Sequence, residues 1–74
     1  MDEKKAFGAR LNEAIKVSGL QKKEVAKLLG LHPVSITNYT NGISTPFPWT
    51  IRKLCQILRC DYEDILGEIN DENI

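Results

Sequence analysis

The chain has 74 residues, with ten Lys and Arg balanced by ten Asp and Glu and only two cysteines, the size of one domain near the lower limit for a self-sufficient core. Nowhere does it approach the roughly 18 consecutive apolar residues of a membrane span, and no charged-then-apolar leader opens it, so neither a membrane partner nor a secretory signal is expected. Cys55 and Cys60 are too few and too close for a disulfide framework and fit a reducing, cytoplasmic setting.

In chain order, Phe7, Leu11, Ala14 and Ile15 recur at helical spacing and predict a first helix from about Glu3 to Ser18, ended by Gly19. A second is predicted from about Lys22 to Leu29, with Val25, Ala26, Leu28 and Leu29 on its buried side. Pro33 suits the first position of a third helix, because its fixed φ fits there and no useful donor is lost. His32 would be its N-cap, a weaker choice than Ser or Asp, and Asn41-Gly42 would close it. After the loop Ile43–Phe47, Pro48 opens a fourth helix with the apolar stripe Ile51, Leu54, Cys55 and Leu58. Asp61 reads as the N-cap of a short fifth helix with Glu63 and Asp64 in its first turn. Tyr62, Ile65, Leu66 and Ile69 would line its inner side. Five helices and no strand predict a compact all-α fold, one domain over residues 1–69, with a frayed acidic tail at 70–74.

Within this order the second and third helices meet the requirements of a helix-turn-helix. Ala26 is small where two helices must cross, and Gly30 is free to take the positive φ of a tight turn. Ile36 and Tyr39, three apart, turn one face of the third helix inward and leave a small, polar face outward. A helix lying in a DNA major groove needs that division. Zero net charge argues against nucleic acid, but the distribution reverses the argument. Residues 1–59 hold all ten bases and four acids (Asp2, Glu3, Glu13, Glu24), whereas residues 60–74 hold six acids and no base. A molecule so divided offers phosphates a basic face while its far end stays acidic.

These landmarks resemble the Cro/C1-type (XRE) helix-turn-helix family of bacterial and phage regulators. The resemblance runs from about Phe7 to Leu66 through Leu11, Gly19-Leu20, Val25-Ala26, Leu29-Gly30-Leu31, Ile36, Asn41-Gly42, Pro46, Leu54, Leu58 and Asp64-Ile65-Leu66. It implies the five-helix, lambda repressor-like fold. The chain departs from the pattern at an arginine–glutamate pair that many members carry, here Ile15 and Thr40. Losing both partners together is coherent, since removing one alone would strand a buried charge. At the start of the second helix Lys22 replaces the usual glutamine and Gln21 the usual Ser/Thr cap.

Candidate DNA-contact residues follow from chemistry and from the resemblance. Pro33, Val34, Ser35, Thr37 and Asn38 lie on the outward face of the third helix. Asn38 can bond an adenine edge, and Val34 and the Thr37 methyl suit a thymine methyl. Neither Arg nor Lys is present there, so A·T pairs are the expected targets. Lys22 and Lys23 oppose the dipole of their own helix, at a cost of roughly 0.3–1 kcal/mol, and with Gln21 they would instead meet a phosphate at that N-terminus. The resemblance adds Asn41, Ser44 and Thr45 as backbone contacts, although Asn41 could equally serve only its own turn.

Trp49, Ile57 and Ile69 are apolar residues left over from the core stripes. They either cap the core or pair two copies, as the family's usual dimerisation after the third helix implies. Cys55, five residues from Cys60, lies on an apolar stripe, so core packing outweighs metal binding. No metal, cofactor, small-molecule ligand or enzymatic constellation is expected. The reading is a sequence-specific DNA-binding regulator, acting as a homodimeric repressor on a near-palindromic operator of double-stranded DNA. Its alternative is a protein-binding module of the same fold, such as an antirepressor or antitoxin, with weak non-specific DNA binding.

Overall fold

Caps and prolines set the helix boundaries. In a computed structural model that describes residues 2–67, α1 spans Glu3–Ser18, α2 Lys22–Leu29, α3 Pro33–Thr40, α4 Pro48–Leu58 and α5 Tyr62–Leu66. Asp2 caps α1 by accepting the Lys4 N–H at 2.9 Å, and prolines open α3 and α4. Gly19 and Gly30 end α1 and α2 in the left-handed region. At Gly30 the Leu31 N–H closes the turn onto the Ala26 carbonyl at 2.9 Å, which is the backbone geometry the helix-turn-helix spacing predicts.

The core draws on every helix. Phe7, Leu11 and Ile15 of α1 meet Val25 and Ala26 of α2, Ile36 of α3, Leu54, Cys55 and Leu58 of α4, and Ile65 of α5. Leu11, Val25, Ile36, Leu54 and Ile65 are wholly enclosed, each burial stabilising by about 1.5–3 kcal/mol. α1 packs across α3 and α5, α2 packs on α3 and α4, and α5 rests chiefly on α1. The α1–α3 crossing is close because Gly8 has no side chain. A Cβ there would stand 2.6 Å from the carbonyl oxygens of both Tyr39 and Thr40.

The family's missing ion pair is replaced by packing. Ile15 is buried, and the Thr40 hydroxyl donates to the Thr37 carbonyl of its own helix at 3.1 Å. Among the described residues no buried side-chain polar atom lacks a partner.

Three expectations are corrected. Leu28 is exposed at 62% rather than buried. The inner face of α2 is centred between Val25, Ala26 and Leu29, and at about 100° per residue Leu28 falls off its edge. Tyr62 and Leu66 are likewise exposed, because α5 is only five residues long and Ile65 alone turns fully inward. Gly67, at φ 82° and ψ −176°, then leaves the helical path. Ile69 and the tail at 70–74 lie outside the described residues.

Candidate nucleic-acid interface

On α3 the side chains divide into an enclosed set and an exposed set, with others half-buried between them. Ile36 has no exposure, and Tyr39 packs partly buried against the core. Pro33, Val34 and Thr37 are exposed, while Ser35 and Asn38 are half-buried. The Thr37 hydroxyl donates back to the Pro33 carbonyl at 3.4 Å, which leaves its methyl as the group available outward.

The N-cap of α3 is stronger than the sequence suggested. His32 Nδ1 accepts the Val34 N–H at 3.1 Å, so the imidazole does the work of a Ser or Asp side chain. A ring accepting at Nδ1 carries its proton at Nε2 when neutral. It therefore sets an exposed N–H donor beside Pro33 and Val34. The sequence reading takes His32 only as a cap and misses this donor. The signal was its place directly before a helix-opening proline.

At α2, Lys23 is exposed and Lys22 half-buried. Lys22 lies over the same inner arc as Ala26 and Leu29, which accounts for its partial burial. The Gln21 N–H donates to the Glu24 carboxylate at 3.0 Å, which gives the helix start the cap that Gln21 alone left in doubt. That bond has a second effect. One donor of the N-terminus is already occupied, and a carboxylate stands beside the two lysines.

The turn after α3 is closed by backbone. Gly42 takes φ 74°, the Ile43 N–H donates to the Asn38 carbonyl at 2.9 Å, and Asn41 stays right-handed and exposed. The closure therefore uses no Asn41 side chain. Thr45 is exposed and Ser44 half-buried in the following loop.

The apolar residues left over from the core do not form one patch. Trp49 is exposed at 62% and stacks on Phe47, exposed at 65%, with ring centroids 4.7 Å apart and planes 12° from parallel. Ile57 sits at the other end of α4 and lines a shallow hollow with Val17 and Leu20. Of the acids after residue 59, Asp61, Glu63 and Asp64 are described, and all are exposed around the start of α5. Among the described residues there is no cluster of three His, Cys, Asp or Glu side chains that could hold a metal. No described helix is long and apolar enough to cross a membrane.

A family model described as helix-turn-helix matches residues 11–65, from the core of α1 to the last buried residue of α5. The chain belongs to the Cro/C1-type helix-turn-helix family. Its fold is that of a solved relative, the restriction-modification controller protein C.AhdI from Aeromonas hydrophila, with a TM-score of 0.75 and 26% identity. That match covers 82% of this chain and 92% of the controller. No curated protein matches the chain. As a member of this helix-turn-helix family the chain is a DNA-binding transcription regulator.

Proposed function

We propose that the chain is a sequence-specific operator binder that lays α3 in the major groove and acts as a repressor. The observation that carries this reading is the division of α3: Ile36 is wholly enclosed while Val34 is 56% exposed beside Thr37 and a half-exposed Asn38. Asn38 would bond an adenine edge, Val34 and the Thr37 methyl would cover thymine methyls, and Ser35 would accept either base. Pro33 would lead the helix into the groove. Gln21, Lys22 and Lys23 would hold one phosphate, with Glu24 offsetting part of their charge. Asn41, Ser44 and Thr45 would hold another, and the His32 Nε2–H would add a donor at the start of α3.

Repression would be steric, with a homodimer covering a near-palindromic operator. Similarity to a restriction-modification controller supports a regulatory role without naming a target. One observation favours a second reading, a protein-binding module: the Phe47–Trp49 stack offers a partner a large exposed apolar surface. Selection from a random DNA pool, followed by salt titration of the winner against scrambled DNA, separates the two. The operator reading expects an A·T-rich consensus, a steep salt slope and a specificity ratio of about 10³ or more. Equal, weak affinity for every sequence would favour the protein-binding module, and a consensus built on guanine contacts from α3 would overturn the residue assignment.

A further inference from the structure

The C-terminus of α4 is closed by a left-handed residue and a six-to-one backbone hydrogen bond that joins the chain's two cysteines. Arg59 takes the left-handed conformation at φ 54°, and the Cys60 N–H donates to the Cys55 carbonyl at 3.1 Å. In such a cap the side chains flanking that six-to-one bond meet, usually as an apolar contact. Here both flanking side chains carry thiols, near enough for each to shift the ionisation of the other. The five-residue spacing, which rules out a C-x-x-C motif, is therefore the spacing that closes a helix cap. Both thiols are free. Cys55 is buried at 9% exposure, whereas Cys60 is half-buried and lines shallow surface hollows.

We propose that Cys55 and Cys60 form a dithiol site, which a small-molecule disulfide oxidises to an intramolecular disulfide across the cap of α4. The more accessible Cys60 thiolate attacks one sulfur of the small disulfide, expels one small thiolate and forms a mixed disulfide. The Cys55 thiolate then attacks the Cys60 sulfur, forming the Cys55–Cys60 bond and expelling the second small thiolate. Two electrons pass to the reagent, and the two protons lost by the cysteines end on the released thiols. The backbone hydrogen bond already holds the pair side by side, so closure asks for side-chain rotation rather than the separation of elements.

Ionisation sets the pace. The Cys60 thiol is pushed up to about 11, first by burial, then by Cys55, and last by the Asp64 and Asp61 carboxylates. Burial also raises Cys55. The charged groups around the pair are Arg52 on α4, Arg59 in the cap, Asp61 and Asp64 at the start of α5, and Arg10 and Glu13 on α1. Thiolate is scarce at pH 7, so exchange is slow there and quickens about tenfold per pH unit toward pH 10.

The test incubates the full chain in glutathione buffers of rising oxidised fraction, quenches by alkylation and reads intact mass. The expected product is monomeric, lighter by two hydrogens and refractory to alkylation, forming about tenfold faster at pH 8 than at pH 7. In the Cys60→Ala chain this product is absent and one thiol stays alkylatable. Thiols that both remain alkylatable in fully oxidised buffer would overturn the proposal. So would oxidation that stops at glutathione adducts or chain-to-chain dimers, or that proceeds only in denaturant.

Discussion

Residues on one exposed face can do two different jobs, and the difference is measurable. An Asn38 side chain bonding an adenine edge distinguishes bases, whereas a Lys23 ammonium near a phosphate attracts every sequence alike. Asn38→Ala should therefore cost about 1–3 kcal/mol on the selected operator and almost nothing on scrambled DNA, flattening preference at one A·T position. Lys23→Ala should weaken both by a similar factor and lower the log–log salt slope by about one. Competition binding at several salt concentrations measures both. If Asn38→Ala weakens specific and scrambled DNA equally, Asn38 is not a base reader. Much of this face was legible in the sequence, because a three-residue apolar spacing fixes which side of α3 turns inward. His32 was not, since capping by an imidazole depends on a ring orientation that residue type does not encode.

At the scale of elements, caps speak locally and crossings do not. The prolines at the starts of α3 and α4, Gly19, Gly30 and Asp61 all act within a turn of their own position, marking three helix starts and two helix ends. Leu28 escaped because a short helix tolerates an apolar residue off its inner arc, and Tyr62 and Leu66 because a five-residue helix turns only Ile65 fully inward. Gly8 carried no signal at all. Its reason is the backbone of Tyr39 and Thr40, some thirty residues on. In an isolated helix Gly8→Ala would gain about 1 kcal/mol of propensity. Here the added methyl would meet two carbonyl oxygens at 2.6 Å, and backbone atoms at a helix crossing give way only by separating the helices. The net change should be destabilising by about 1–3 kcal/mol, lowering the melting temperature by roughly 4–8 °C per kcal/mol in a domain of this size. Thermal and urea unfolding of the variant decide it, and an unchanged or raised midpoint would mean the crossing is looser than described.

For the whole molecule, the question is whether one copy reads enough DNA. The described part extends 37 Å by 23 Å by 21 Å, about one turn of duplex along its longest axis. Its α3 offers one amide and two methyl-bearing side chains, and a single bidentate pair discriminates by only about 1–3 kcal/mol. Specific regulators commonly separate their sites from bulk DNA by about 4–10 kcal/mol. Two copies on a two-fold operator close that gap, since each half-site contributes its own contacts. Apolar residues at the two ends of α4 give two places to pair: the exposed Phe47–Trp49 stack at one end, and half-buried Ile57 with Val17 and Leu20 at the other. Either way, two recognition helices must reach grooves one turn, roughly 34 Å, apart. Inserting about five base pairs between the half-sites turns one of them to the opposite side of the duplex and should reduce affinity to that of a single half-site. Restoring a full turn should recover much of it only if the dimer can stretch. Sedimentation at micromolar concentration, alone and with the operator, reports the stoichiometry directly. Two chains per operator with a strict dependence on spacing support the dimer. One chain per site, indifferent to spacing, would overturn it and leave α3 to work with half the contacts that specificity requires.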